Sequence, residues 1–125
     1  MKIASQMDYW RNGSDEDRET ALILLEKGKS REGLFFMHLA LEKILKAHFC
    51  KINREHPPRI HNLTLLARQS DLFLSQDQLT VLTDLNAFCL AGRYPDESMT
   101  RIDAQDAKNL YNLAQEVRTW LIQQL

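Results

Sequence analysis

Residues 34–49 constrain the fold of this chain most, because they form a run without Gly or Pro in which apolar side chains recur every three or four positions. The apolar positions of the run are Leu34, Met37, Leu41, Ile44, Leu45 and Phe49. That spacing is typical of an amphipathic helix whose apolar face must be covered by other helices. Glu42, Lys43 and Lys46 mark the polar side, and Glu42 and Lys46 stand at i,i+4 with the acid first, which predicts an exposed ion pair.

Start and stop signals predict a first helix ahead of the central one, with a short break between the two helices. Residues up to about Gly13 are interpreted as a lead-in, and Ser14 followed by three acidic residues is interpreted as the N-cap of the first helix. Gly28 is expected to end that helix in the left-handed conformation. Ser30 is the expected N-cap of the central helix, which must stop before His56, because Pro57 and Pro58 exclude helix there.

The second half of the chain carries three more helix signatures. Asn62 can cap a short third helix, Ser75 and Gln78 form a capping box for the fourth, which ends at Gly92, and Asp103 begins the last. No stretch shows the sustained alternation or turn residues of a β-hairpin. We therefore predict one all-α domain over residues 1–125, an up-and-down helical bundle of four main helices plus a short helix.

Composition narrows the classes of function. A net charge of -1 argues against binding phosphates with an entirely basic surface. Cys50 and Cys89 lack the spacing of a zinc site and are expected to be reduced, structural thiols. There is no signal-peptide pattern and no apolar run long enough to cross a membrane, so a cytoplasmic protein without membrane contact is expected. No phosphate loop, metalloprotease motif or nucleophile elbow is present, so we predict no catalytic residue, metal or cofactor.

The loop of Arg93, Tyr94 and Pro95 is the first candidate binding site. Arg93 offers five fixed donors suited to phosphate or carboxylate, Tyr94 offers a stacking face and a hydroxyl, and Pro95 stiffens the backbone. The alternative is structural: Arg93 caps a helix C-terminus and Tyr94 packs on the core.

Further candidates are His61 at the start of the third helix and the histidines and charges of the central helix, each with a structural alternative. His61 could bind phosphate or titrate near neutrality, or it could simply lie at a helix start. His38, like His48, is interpreted as a partly buried, hydrogen-bonded histidine rather than a ligand. Glu42, Lys43 and Lys46 could meet a phosphate or a partner, or form a solvated helix face.

Three segments in order resemble the HEPN domain, a small helical bundle of prokaryotes and higher eukaryotes. Residues 38–47, His-Leu-Ala-Leu-Glu-Lys-Ile-Leu-Lys-Ala, resemble a helix of the family in which Gln-Ala, an apolar residue, Glu-Lys, a second apolar residue and Leu-Lys-Ala follow one another. His61-Asn62-Leu63 followed by Leu66 resembles a second family motif, and Arg93-Tyr94-Pro95 before the last helix a third. The resemblance covers residues 8–125 approximately.

The resemblance implies a bundle that often dimerises and has a connection to nucleotides or RNA. Many bacterial members are encoded beside a minimal nucleotidyltransferase, with which they form a two-component, toxin–antitoxin-like system. Some members are metal-independent ribonuclease toxins that place a His four to six positions after an Arg near the last helix. This sequence departs from that pattern, because no histidine follows His61.

Two functions from different classes remain open, with a structural third. The favoured one is a non-catalytic module that binds a nucleotide or a nucleotidyltransferase partner, with Lys43, Lys46 and Arg93 on phosphate and Tyr94 stacking on a base or the partner. The alternative is a divergent ribonuclease that uses Arg93 with His61 or His38. The third is a dimeric scaffold without a ligand.

The last helix also predicts an interface. Apolar residues lie on more than one of its sides, which suggests a second covered face. The residues concerned are Leu110, Tyr111, Val117, Trp120, Leu121 and Ile122. We expect a symmetric homodimer, or a partner chain on the same face.

Overall fold

The computed structural model describes residues 2–93 and 101–125, except for the side chains of residues 90–93. Within those residues all regular secondary structure is helical, and no strand occurs. The helices are α1 (Ile3–Glu26), α2 (Ser30–Asn53), α3 (Leu63–Gln69), α4 (Gln76–Arg93) and α5 (Ala104–Gln124). The predicted all-α bundle of four long helices and one short helix is confirmed.

The helix α2 is the centre of the bundle, since it packs against each of the other four helices. Its predicted apolar positions are all buried, and all of them except Phe49 join residues of α3, α4 and α5 in one core. Cys50 and Cys89 are buried reduced thiols, in line with the structural role expected of them. Because α2 is covered on several sides, positions that look polar on a helical projection also become buried, which matters for the site below.

The helix α1 is longer than the sequence suggests, and the expected lead-in to Gly13 is wrong. Ser14 does not cap a helix; it lies buried in the middle of α1. Its hydroxyl donates a hydrogen bond to the Ala40 carbonyl of α2 at 2.6 Å. The Ser-acid pattern resembles an N-cap, but contact with a neighbouring helix satisfies the same hydroxyl.

Close contact between α1 and α2 depends on two glycines. Gly28 adopts φ +78°, the left-handed conformation predicted for it, in the three-residue turn between the helices. At Gly33 a Cβ atom would lie 2.7 Å from Leu25 Cγ. The missing side chain therefore allows the two helices to approach.

Capping groups fix the other helix ends largely where the sequence predicts them. The Asn62 side chain accepts from the amides of Thr64 and Leu65, and the Asp103 side chain accepts from the Asp106 amide. The Ser75 and Gln78 side chains each bond to the other residue's backbone amide, forming the predicted capping box. Two ends differ by one residue, because α2 is preceded by Lys29 as its N-cap and α4 ends one residue after the predicted glycine.

A buried arginine fastens α5 to α1. Arg118 is 4% exposed, its Nε donates to Ser14 Oγ at 3.0 Å, and its guanidinium pairs with Asp15. Burial lowers the pKa of Arg118, and the Asp15 carboxylate opposes that shift. Ser14 thus links three helices, since it also donates to α2.

The apolar residues on α5 pack within their own chain. Three of the six that suggested a second face are buried, and the other three pack against the same core. Leu113 is the α5 apolar residue that stays substantially exposed, at 49%. The width of the α5 stripe is therefore no argument for a second covered face, and the homodimer stays a prediction. None of the described helices combines the length and apolarity that a bilayer-spanning segment requires.

Candidate functional site

A carboxylate on the central helix gathers three basic side chains around it. Glu42 Oε2 accepts from Lys46 Nζ at 3.0 Å, and Glu42 Oε1 lies 3.0 Å from His61 Nδ1. His38 Nδ1 is 3.8 Å from the same Oε1. Glu42 itself is only 5% exposed. The structure therefore brings together four predicted site residues, which we call the Glu42 cluster: His38, Glu42, Lys46 and His61.

The Glu42–Lys46 pair exists but is not exposed, so the predicted solvated helix face is wrong at these two positions. Lys46 is 6% exposed, and its ammonium lies 5.3 Å from the centre of the Trp10 ring, a cation–π contact. Trp10 belongs to the part of α1 that the sequence did not identify as helical. The helix α1 therefore covers the pair and removes it from water.

His61 is held in place by a network of amides between α3 and α4. Asn86 of α4 accepts from the Leu63 amide at 3.0 Å and donates to Asn62 Oδ1 at 3.1 Å. These bonds fix the start of α3, and the Glu42 carboxylate accepts from His61 Nδ1. The His61 side chain nevertheless remains 39% exposed. It is the member of the Glu42 cluster that combines a fixed orientation with access from solvent.

Sequence reasoning did not identify Asn86 as a site residue. The available signal was a polar side chain one turn after Leu82 and three residues before Cys89, both of which are buried. Asn86 is half-buried beside these positions, and a hydrogen-bond partner is expected for it because a polar group withdrawn from water without a partner is costly. Its two partners, Leu63 and Asn62, could not be read from the sequence, since they lie 23 and 24 residues away.

His38 lies beneath this site without access to solvent. It is 0% exposed, and neither ring nitrogen has a hydrogen-bond partner among the described residues. Burial lowers the pKa of His38, and the Glu42 carboxylate opposes that shift. The nearby Asn86 side chain and His61 backbone oppose it as well, although neither group lies in hydrogen-bonding geometry with the His38 ring. His48 fits the predicted buried, hydrogen-bonded histidine better, since its Nε2 donates to the Leu121 carbonyl at 2.7 Å.

Lys43 faces a different part of the molecule. Its ammonium pairs with Asp17 Oδ2 of α1 at 2.7 Å, and the side chain is 31% exposed. It lines a shallow cleft of about 240 Å³ together with Tyr9 and Glu16. Lys43 is therefore not brought together with His61.

The HEPN domain family model matches residues 7–125, nearly the whole chain. The chain belongs to the HEPN family. TT1696 from Thermus thermophilus has a similar crystal structure, with a TM-score of 0.79 and 20% identity over 96% of this chain and 98% of that one. ST0689, an archaeal HEPN homologue, matches with a TM-score of 0.73 and 21% identity over 94% and 96% of the two chains. At this identity the two structures show a shared fold. No curated protein gave a significant match.

The third HEPN-like segment lies mostly outside the described residues. Arg93 is the last residue of α4, two helical turns after Asn86, and its side chain is not described. Tyr94 and Pro95 fall outside the described residues altogether. Their roles, like those of the other candidate ligands, stay predictions. The described part of this HEPN domain contains no group of three or more His, Cys, Asp or Glu side chains arranged to hold a metal ion.

Proposed function

We propose that this HEPN domain is a non-catalytic module that binds a nucleotide, or a nucleotidyltransferase partner, at the surface around His61. The observation that carries the proposal is that His61 is oriented by Glu42 and by the start of α3 while more than a third of it remains exposed. A binding site needs side chains whose position is fixed before the ligand arrives, because less ordering entropy is then lost on binding.

The contacts of the lysines change which residues would meet phosphate. Lys46 is buried and engaged by Glu42, and Lys43 is paired with Asp17. The phosphate contacts in this proposal therefore come from His61 and from Arg93, with Tyr94 as the stacking residue. Placement of Arg93 two turns after Asn86 on α4 supports this grouping, since Asn86 contacts the residues that follow His61.

Lack of a histidine after His61 supports a non-catalytic role. Of the four histidines in the chain, His38 and His48 are buried within the bundle, and His56 lies in the segment between α2 and α3. None follows Arg93, where ribonuclease members of the family carry theirs. Cleavage through a 2′-hydroxyl would lack its usual proton carrier at that place.

Nucleotide titration tests the proposal. ATP and GTP are titrated into the wild type and into His61→Ala and Arg93→Ala, with the exposed residues His56→Ala and Arg59→Ala as matched controls. We expect each site variant to weaken binding by about tenfold or more, a loss of about 1.4 kcal/mol, and the controls to leave it unchanged. Equal affinity in all five proteins would contradict a site at His61.

The partner is tested separately. We propose a two-component, toxin–antitoxin-like pairing in the cytoplasm, with the neighbouring gene's product as the nucleotidyltransferase. Co-expression followed by purification on a tag of that product should retain the wild type and lose Arg93→Ala. If neither nucleotides nor that product bind, the proposed function fails as a whole.

A divergent ribonuclease is the second candidate, and one observation favours it. The Glu42–His61 hydrogen bond orients an imidazole in the way a general base is oriented. His38 has no exposed surface, so His61 would have to carry the proton. RNA cleavage by the pure protein that is abolished in both His61→Ala and Arg93→Ala would establish this alternative. An inactive wild type at micromolar concentration would remove it.

A further inference from the structure

The most exposed large apolar side chain among the described residues is not on α5 but in the turn between α3 and α4. Phe73 is 93% exposed, whereas the next in rank, Tyr9, is 66% exposed and carries a hydroxyl. Burying a phenylalanine side chain fully is worth about 1.5–3 kcal/mol. Phe73 realises almost none of this within its own chain.

The backbone holds Phe73 in this exposed position. At the end of α3, Asp71 adopts φ +54°, and the Leu72 amide donates to the Ala67 carbonyl at 3.2 Å, as in a Schellman motif. Leu72 and Leu74 on either side are half-buried and pack against the core. Phe73 therefore points outward from a turn that is fixed at both neighbours.

A receptive surface lies directly beside Phe73. A cleft of about 460 Å³ is lined there by Phe73 itself together with Thr64, Ala67, Leu72, Leu74 and Leu79. The same patch thus carries both a projecting apolar side chain and an apolar cavity. A surface of this kind can pair with a copy of itself across a two-fold axis.

Charges around the cleft are also self-complementary. Arg68 and Asp71 line it, both are exposed, and neither forms an ion pair with any described residue. In a two-fold contact a residue of one copy meets a different residue of the other, and the reciprocal pair forms as well. One unpaired cation and one unpaired anion on the same patch satisfy that requirement.

We infer that this patch, formed by Arg68, Asp71, Phe73 and the cleft beside them, is the interface of a homodimer. Phe73 of each copy enters the cleft of the other, and Arg68 of each pairs with Asp71 of the other. Phe73 follows the C-terminal end of α3, whereas His61 precedes its N-terminal end, and the cleft extends along α3 as far as Thr64. The inference goes beyond the proposed nucleotide site and does not depend on it.

Sedimentation of the wild type and of an apolar variant gives the first test. Because one turn and one cleft form a small interface, the dimer should be weak, so the wild type is measured from about 10 µM to about 1 mM. We expect its mass to rise from 14.6 kDa towards twice that value. Phe73→Ala should stay monomeric over the same range, and Ile52→Ala, which removes an exposed apolar side chain on α2, should dimerise like the wild type.

Charge reversal gives the sharper test. Arg68→Asp and Asp71→Arg each place like charges across the axis, so each alone should weaken dimerisation by about tenfold or more. An equimolar mixture of the two variants restores both ion pairs and should recover a dimer near wild-type affinity. Arginine is tolerable at position 71, since Arg54 already adopts φ +54° in this chain.

Each outcome decides the inference. Recovery in the mixture cannot come from a folding defect or from binding to another protein, so it would establish the interface. A wild type that is monomeric at every concentration would overturn the inference, and so would a mixture no better than its components. A dimer unaffected by Phe73→Ala would place the interface elsewhere.

Discussion

Glu42 offers a direct test of how the buried charges are balanced. Glu42→Gln keeps the size of the side chain but removes its charge and replaces one acceptor oxygen by a donor. Lys46 Nζ and His61 Nδ1, each 3.0 Å from a Glu42 oxygen, are both donors. An amide oxygen in the place of Oε2 would still lie 3.0 Å from Lys46 Nζ and 3.2 Å from His61 Nδ1, but the Lys46 ammonium loses its counter-charge.

The size of the effect follows from burial. Removing one partner of a buried ion pair costs about 3–5 kcal/mol, because the other charge remains uncompensated. Lys46 keeps its contact with Trp10, which retains part of the stabilisation. We therefore expect a loss near the lower end, about 3 kcal/mol, or a fall in Tm of about 10 °C for a domain of this length.

Urea unfolding at neutral pH measures this loss, and the chain supplies a matched control. Lys43 and Asp17 form a pair 2.7 Å apart, but Lys43 is 31% exposed. Asp17 is 14% exposed, so the pair is partly buried. Because Lys43 can reach solvent, Asp17→Asn should cost clearly less than Glu42→Gln, about 1–2 kcal/mol. The double variant Glu42→Gln/Lys46→Met removes both charges and should recover most of the loss.

An equal cost for Glu42→Gln and Asp17→Asn would refute the reasoning. It would mean that water or movement of the lysine compensates the charge, and that the Glu42 cluster is not a buried ion pair. A double variant as unstable as the single one would place the cost in the packing of the side chain rather than in its charge.

Three further predictions concern stability. Burial lowers the pKa of both His38 and His48, so below about pH 6.5 the unfolded chain binds more protons than the folded one. The free energy of unfolding should therefore fall as the pH drops through that value. Replacing either histidine by Gln should make this fall smaller, as measured by urea unfolding. Ser14→Ala should cost about 2 kcal/mol in the same assay, because it removes a buried link to the Ala40 carbonyl and to Arg118. Arg54→Gly should raise the free energy of unfolding by about 0.5–1 kcal/mol, and Tm with it, since glycine adopts the left-handed conformation of position 54 at low cost.

Much of the fold could be predicted because its signals are local. Caps at Asn62, Ser75 and Asp103 act within three residues, and the apolar spacing of α2 defines its own buried face. The failure at Ser14 had a different origin. Its hydroxyl bonds to α2 and accepts from α5, 104 residues away, and local pattern cannot distinguish such a residue from an N-cap.

The candidate site was harder to predict, because burial by distant segments decided it. Glu42 and Lys46 look like an exposed pair on a helical projection of α2, and only Trp10 and His61 from other segments reveal that they are enclosed. The sequence did identify His38, Glu42, Lys46 and His61 as candidate residues. The separation of Lys43 from that group could not be predicted, since it depends on which side of α2 faces α1.

Stability alone does not account for the Glu42 cluster. Apolar side chains of similar volume at positions 42 and 46 would be expected to stabilise a bundle at least as well as a buried ion pair. The cluster does have one consequence that apolar residues could not reproduce: Glu42 accepts a hydrogen bond from His61 and so fixes the orientation of an imidazole at the surface. Lys46 balances the charge of Glu42 from within, leaving the bound histidine to face solvent. The cluster is therefore best understood as a support for His61, which is why the proposed binding surface is centred on that residue rather than on the lysines.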